Sequence, residues 1–175
     1  MDTSQEKITT VNKIIFLDMD GLVSDFDGYA ERELGIETKA GIRFSQEDWY
    51  RLREFNERIY RDIPVLPGAE DFVKDVEWLA GENGYDIRFL TAVPRENDLG
   101  WSFWDKTEWA RRHFPGVPVW FGPYSDDKQT HYKPGCILID DRVKNIDSWP
   151  KHGILHLGDY QETLNTLEKY IKENE

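Results

Sequence analysis

Two aspartates separated by one residue, Asp18 and Asp20, come directly after a short apolar segment at residues 13–17. This run of branched and aromatic residues predicts a buried strand. Because side chains alternate along a strand, both carboxylates are expected on the same side of its end, where Gly21 lets the chain turn away. Two converging carboxylates repel each other unless a cation lies between them. Mg²⁺ suits such a site, since it takes oxygen ligands and shares its coordination with water and phosphate.

The chemistry that this pair indicates is the hydrolysis of a phosphoester. An aspartate that attacks phosphorus forms an acyl phosphate, which divides the hydrolysis into two displacements. Asp18, which continues the strand, suits the nucleophile, and Asp20 suits the group that protonates the leaving oxygen and later takes a proton from water. A lysine and a hydroxyl would hold the phosphoryl oxygens beside the cation. Thr91 is a candidate for that hydroxyl.

Alternating strands and helices would position these side chains. Further strands are predicted from short apolar runs at residues 86–91, 117–121, 136–141 and 154–157. The helical patterns between them imply right-handed crossovers and an α/β fold, with a parallel sheet covered on both faces. Ligands of such sheets lie outside the carboxyl ends of the strands. Asp18 and Asp20, Thr91, and the pair Asp140 and Asp141 end different strands, so we expect one crevice to collect them.

A helical insertion is predicted between the first two strands. Ser45 followed three residues later by Asp48 is a typical helix start, and apolar residues then recur near helical spacing. We therefore expect a single domain over residues 1–175, with a small helical cap at residues 26–66. Residues 10–25 and 67–175 would form its core.

Composition restricts the class of partner. The formal net charge of −12 argues against a long nucleic acid, whose sequence-independent affinity comes mainly from Lys and Arg. A small phosphate ester remains compatible, because physiological salt screens surface charges beyond about 8 Å. No apolar run approaches the ~20 residues of a membrane span. Residues 1–10 lack the pattern of a secretion signal, so we expect a cytoplasmic protein, and Cys136 is expected to be a buried, inert thiol.

These residues together resemble the four motifs of the haloacid dehalogenase superfamily of phosphohydrolases. The motifs are Asp18-Met19-Asp20-Gly21, Thr91 after an apolar strand, a lysine before the last motif, and Asp140-Asp141 after another apolar strand. A closer resemblance, to the 5′(3′)-deoxyribonucleotidase family, spans roughly residues 13–150. The segments that carry it are residues 18–26, 65–69, 90–94 and 139–142.

The resemblance implies a Rossmann-like three-layer α/β/α fold with a small helical cap, and Mg²⁺ as the cofactor. It implies that Asp18 is the nucleophile and a Mg²⁺ ligand, and that Asp20 is the acid/base and binds Mg²⁺ through its backbone carbonyl. It also implies that the side chain of Thr91 and the amide of Ala92 bind phosphate. Ala92 stands where relatives often have serine, which removes one hydroxyl contact to phosphate or ribose.

The acidic pair and the lysine are carried over with alternatives open. Aligning the apolar strands puts the direct metal ligand at Asp141, with Asp140 supporting it. For the lysine, Lys128 lies somewhat too far from the pair and Lys133 somewhat too near. Lys128 is favoured because it would lie in the first turn of a short helix, whereas Lys133 precedes a proline and is held extended.

In this family the insertion is a cap that closes over the substrate and excludes water. Most of Trp49, Phe55 and Ile59 are expected to bury the cap's own helix, which leaves one or two aromatic side chains to face the ligand and stack on a base. Either Arg43 or Arg95 would hold the phosphate or sugar, and the sequence does not choose between them.

The function expected is a Mg²⁺-dependent 5′-nucleotidase that dephosphorylates deoxyribonucleoside monophosphates. Alternatives are a phosphatase for nucleic-acid 3′-phosphate ends or for sugar phosphates, and a phospho-receiver domain, although a receiver carries its acidic pair before its acceptor. The expected partner is a small nucleoside monophosphate, with no long nucleic acid and no membrane. A homodimer is compatible with the sequence. Base, 2′-deoxy and 5′ or 3′ preferences stay open.

Overall fold

The computed structural model describes residues 13–38, 44–95 and 99–174. Its centre is a parallel sheet of five strands in the order β3-β2-β1-β4-β5. The strands are β1 (Lys13–Leu17), β2 (Tyr85–Thr91), β3 (Val119–Phe121), β4 (Ile137–Asp140) and β5 (Gly153–Leu155). The predicted α/β class is therefore confirmed. Each predicted strand is present, although β3, β4 and β5 are shorter than the sequence indicates.

Strand β1 occupies the middle of the sheet because it is apolar on both faces. Ile15 and Leu17 face one hydrophobic cluster, whereas Ile14 and Phe16 face another. Its parallel register pairs Ile15 with Ile87 of β2 on one side and with a residue of β4 on the other. A strand buried in this way reads as a continuous apolar run, as parallel sheets require.

Helices cover both faces of the sheet. They are α1 (Phe26–Leu34), α2 (Gln46–Phe55), α3 (Ile59–Asp62), α4 (Ala69–Glu82), α5 (Ser102–His113), α6 (Val143–Ser148) and α7 (Tyr160–Glu173), with one 3₁₀ helix (Ser125–His131). Residues of α4, α5 and α7 join the cluster of Ile15, and residues next to or within α6 join that of Phe16. The predicted three-layer arrangement is thus present.

Helices α1 to α3 lie between β1 and β2, in the predicted insertion, and share a separate hydrophobic cluster that includes Phe26, Leu52 and Ile59. The predicted start of α2 is a capping box: the amide of Asp48 donates to Ser45 Oγ at 3.1 Å, and the amide of Ser45 donates to Asp48 Oδ2 at 2.9 Å. Phe55, the last residue of α2, differs from the expected burial of the cap's aromatic residues, because it is 47% exposed.

Helix α5 of the core is joined to the insertion at α3. The guanidinium of Arg58 forms an ion pair with the buried carboxylate of Asp105. The indole Nε1 of Trp109 donates to the carbonyl of Ile63 at 2.7 Å. These contacts fix where the insertion meets the sheet. No helix in the part of the chain that the structure describes has the length and apolar character to cross a membrane.

Candidate active site

The carboxyl ends of β1, β2 and β4 bring the predicted residues to one edge of the sheet. Asp18, Thr91 and Asp140 are all buried there. The amide of Asp18 donates to the carbonyl of Ile139 at 2.9 Å, which extends the pairing of β1 and β4 up to the site. The crevice that the strand order predicts is therefore where these side chains lie.

Lys128 lies between two of the carboxylates. Its Nζ is 2.8 Å from Asp18 Oδ1 and 2.7 Å from Asp140 Oδ2, and its side chain is buried. Burial lowers the pKa of Lys128, but the two carboxylates outweigh burial and hold it above its usual value. Lys133, the other candidate, is exposed. The 3₁₀ helix thus places Lys128, and not Lys133, at the site.

The two members of the acidic pair have different surroundings. Asp140 accepts hydrogen bonds from Lys128 Nζ, from the amide of Arg142 at 2.9 Å, and from Asn145 Nδ2 at 2.9 and 3.0 Å. Asp141, in contrast, has a buried Oδ1 with no hydrogen-bond partner among the described residues. An orphaned buried oxygen needs a donor or a cation. Asp141 is therefore the member of the pair with an oxygen available to a metal.

Three carboxylates form a group that fits a cation. Oxygen atoms of Asp18, Asp140 and Asp141 lie within 4.8 Å of one another. Gly21 allows this approach, because a Cβ built on it would lie 2.1 Å from Asp141 Oδ2 and its φ of +81° suits glycine. Carboxylate oxygens are ligands that hard divalent cations prefer.

Burial and neighbouring charges raise the pKa of two of these acids, Asp18 and Asp141. Burial, and then the charge of Asp140, raise the pKa of Asp18 to about 6. Burial, and then the charges of Asp18 and Asp140, raise the pKa of Asp141 to about 8. Both shifts express negative charge that is poorly solvated and unbalanced, which a bound cation would relieve.

Asp20 departs from the expectation that both carboxylates of the first motif face one ion. Its Oδ1 accepts from Ser24 Oγ at 2.8 Å and its Oδ2 accepts from Lys106 Nζ. Its carboxylate does not belong to the group of three acids described above. The metal ligand that the family resemblance implies at the backbone carbonyl of Asp20 stays a prediction.

Lys106 is a site residue that the sequence analysis missed. It lies on α5, is 1% exposed, and donates to Thr91 Oγ1 at 3.0 Å as well as to Asp20. The signal was present in the helical spacing, because Lys106 lies three and four residues before the buried Trp109 and Ala110. A charged residue on the buried face of a helix is a candidate for function.

The remaining predicted residues have mixed outcomes. Ala92 follows Thr91 directly at the end of β2, where its amide is next to the site. The guanidinium of Arg95 lies 4.3 Å from the ring centre of Tyr124 and 3.8 Å from Asp127 Oδ2. Arg43 lies outside the described residues.

Replacing Lys128 with methionine is expected to lower the free energy of unfolding by about 3–5 kcal/mol, since it leaves two buried carboxylates without their cation. Lys133→Met makes the same chemical change at an exposed position. Its free energy of unfolding should stay within about 0.5 kcal/mol of that of the unaltered protein. Urea unfolding of both variants at pH 7 measures the difference. Equal stability of the two variants would contradict the placement of Lys128.

Comparisons with known proteins identify the family of the chain. The family model "5' nucleotidase, deoxy (Pyrimidine), cytosolic type C protein" matches residues 12–169. No curated protein matches the chain significantly.

Two solved structures illustrate the remote likeness of the fold. The HAD domain of the effector protein Lem4 from Legionella pneumophila is 12% identical, with 93% of this chain and 97% of that chain covered and a TM-score of 0.43. A haloacid dehalogenase-like hydrolase from Burkholderia xenovorans LB400 is 14% identical, with 81% and 80% covered and a TM-score of 0.42. Likenesses of this size carry no argument, and the assignment rests on the family model. The chain belongs to the family of cytosolic type C deoxy (pyrimidine) 5′-nucleotidases.

Proposed function

We propose that the protein is a Mg²⁺-dependent phosphomonoesterase that removes the 5′-phosphate of deoxyribonucleoside monophosphates through an aspartyl-phosphate intermediate. One observation carries this proposal. Asp18 ends the central strand with its carboxylate held against Lys128, beside Asp141, whose buried Oδ1 has no partner in the described part of the chain. A fixed carboxylate next to a free metal-binding oxygen is what phosphoryl transfer to an aspartate requires.

The residues have complementary roles in this proposal. An oxygen of Asp18 attacks phosphorus, the bond from phosphorus to the nucleoside oxygen breaks, and that oxygen takes its electron pair and a proton from Asp20. Asp20 then takes a proton from water, which attacks phosphorus and frees Asp18 together with inorganic phosphate. The hydroxyl of Thr91, the amide of Ala92 and the ammonium of Lys128 hold the phosphoryl oxygens.

A divalent cation fits the donor set. Asp18, Asp141 and the backbone carbonyl of Asp20 would hold it, while Asp140 would support the site by fixing Lys128. The buried ammonium groups of Lys106 and Lys128 offset part of the negative charge of these acids, and a divalent cation would balance charge that remains on the group of three. Bound Mg²⁺ would supply charge neutralisation between the anionic nucleophile and the anionic phosphate.

We further propose that residues 26–66 are a cap over the substrate, and that residues 10–25 and 67–175 form the core of one domain. The separate hydrophobic cluster of the insertion supports this division. So does the ring of Tyr60 on α3, whose centre lies 4.4 Å from Lys106 Nζ in the core. The description of the family supports a deoxynucleotide substrate and a cytosolic location.

A phosphate-release screen tests the proposal. It compares common ribonucleoside and deoxyribonucleoside 5′- and 3′-monophosphates with sugar phosphates and a 3′-phosphorylated oligonucleotide, all with Mg²⁺. We expect the best deoxyribonucleoside 5′-monophosphate to exceed every sugar phosphate by about 10-fold or more in kcat/KM, as one stacked base would provide. A higher kcat/KM for a sugar phosphate or for the oligonucleotide would contradict the proposed substrate class. Absence of release from every compound would contradict phosphatase activity.

A further inference from the structure

Lys106 connects three parts of the molecule at one buried point. Its Nζ donates to Asp20 Oδ2 in the loop after β1 and to Thr91 Oγ1 at the end of β2, and it lies over the ring of Tyr60 from α3. Its side chain is 2% exposed, whereas that of Asp20 is 25% exposed. The lysine is therefore held inside the protein, and the carboxylate that it contacts opens toward the crevice.

Such a contact differs from an ordinary surface ion pair. Burying an ammonium group has a desolvation cost that a single exposed partner does not repay, so a buried lysine needs well-placed acceptors. Lys106 has two such acceptors, and both belong to groups that the proposed reaction uses. Ser24 Oγ donates a hydrogen bond to the other oxygen of Asp20, Oδ1, at 2.8 Å. The carboxyl group of Asp20 is therefore held at both oxygens.

We propose that Lys106 is a positioning residue that holds the carboxyl group of Asp20 in place for proton transfer to the leaving oxygen, an inference that rests on the proposed function. As Asp18 bonds to phosphorus and the bond to the leaving oxygen breaks, Asp20 gives its proton to that oxygen and becomes negatively charged. Lys106 stabilises this new charge where it appears and keeps the carboxyl group aimed at the leaving oxygen. Its contribution is thus larger in the transition state than in the ground state.

A leaving-group test separates this role from a structural one. Phenyl phosphate and 4-nitrophenyl phosphate present the same phosphoryl group, but only the phenolate leaving group depends strongly on protonation. The parameter kcat/KM reports the steps up to departure of that group, before the aspartyl phosphate is hydrolysed. We expect Lys106→Met to lower kcat/KM about 10- to 100-fold for phenyl phosphate, within the range of general acid catalysis, and about 3-fold or less for 4-nitrophenyl phosphate.

Two controls accompany the variant. Asp20→Asn should show the same dependence on the leaving group with a larger loss. Thr107→Ala changes the next residue on α5, which is exposed, and should keep both values within about 2-fold. If Lys106→Met does not fold, as its thermal transition will show, Lys106→Gln serves in its place, because it also removes the charge.

The outcomes distinguish the inference from the proposed function. Equal losses on the two substrates, or no loss on either, would overturn the role of Lys106 while leaving the phosphatase in place. Failure of the unaltered protein to release phosphate from these two compounds and from every nucleotide of the screen would contradict the proposed function, and the inference with it. A steeper dependence on the leaving group in Lys106→Met that Asp20→Asn shares and Thr107→Ala lacks supports the inference.

Discussion

Asn in place of Asp18 is expected to reduce the release of phosphate at least about 10⁴-fold, to below detection in a standard assay. The amide is not a nucleophile, so no acyl phosphate forms. The protein should stay folded, because the substitution removes one charge from a crowded acidic group and leaves an amide oxygen that can still accept from Lys128. The measurement is phosphate release from the best nucleotide substrate with Mg²⁺, with circular dichroism to verify folding.

A matched control is Asp71→Asn, which makes the same chemical change at a carboxylate of α4 that is 85% exposed. This variant should keep full activity. A folded Asp18→Asn protein with turnover close to that of Asp71→Asn would exclude Asp18 as the nucleophile.

Removal of Mg²⁺ should have the second largest effect. Chelation with EDTA is expected to lower kcat about 10³-fold, which corresponds to several kcal/mol of lost charge stabilisation, and added Mg²⁺ should restore it. Asp141→Asn should raise the Mg²⁺ concentration needed for half-maximal activity, because it replaces the carboxylate that has a free buried oxygen. Full activity in EDTA, or an unchanged Mg²⁺ requirement in Asp141→Asn, would contradict the proposed metal site.

The raised pKa of Asp141 predicts how the stability of the protein depends on pH in the absence of Mg²⁺. Because the pKa of Asp141 rises to about 8 in the folded state, the folded protein binds more protons than the unfolded chain above pH ~4. The corresponding stabilisation is complete below pH ~4 and is lost as the pH rises through about 8. Asp141→Asn should therefore melt higher than the unaltered protein at pH 8 in EDTA, by about 2–6 °C.

Added Mg²⁺ should reverse that order. Binding only to the folded state raises the melting temperature of the unaltered protein, while Asp141→Asn should respond weakly. Differential scanning calorimetry at pH 5 and pH 8, each with EDTA and with Mg²⁺, gives all the comparisons needed. If Mg²⁺ raised the melting temperature of the unaltered protein more at pH 5 than at pH 8, the result would contradict this prediction.

Hydrophobic patterns were enough to predict the sheet and the edge where the site lies. The apolar runs before Asp18, Thr91 and Asp140 became β1, β2 and β4, because a strand buried on both faces needs that composition. Once three parallel strands are known, their carboxyl ends must meet at one edge. Local helix preference also favoured Lys128 over Lys133; the 3₁₀ helix does carry Lys128, but in its last turn and not in the first turn as predicted.

Features that depend on tertiary contacts were not predicted. Strand alternation put the carboxylates of Asp18 and Asp20 together, but Asp20 turns toward Lys106, a residue 86 positions away in the chain. Nothing local to Asp20 indicates that partner. Packing of the tryptophans was equally non-local: Trp109 is buried, whereas Trp101 and Trp104, at similar helical spacing, are 48% and 62% exposed.

Borohydride trapping during turnover tests the central claim most directly, because it reduces an aspartyl phosphate to homoserine at the residue that carried the phosphoryl group. Mass mapping of peptides from the trapped protein should find homoserine at position 18, in the presence of substrate and Mg²⁺ only. Homoserine at Asp20, Asp140 or Asp141 instead, or no homoserine together with continued turnover by Asp18→Asn, would contradict the account.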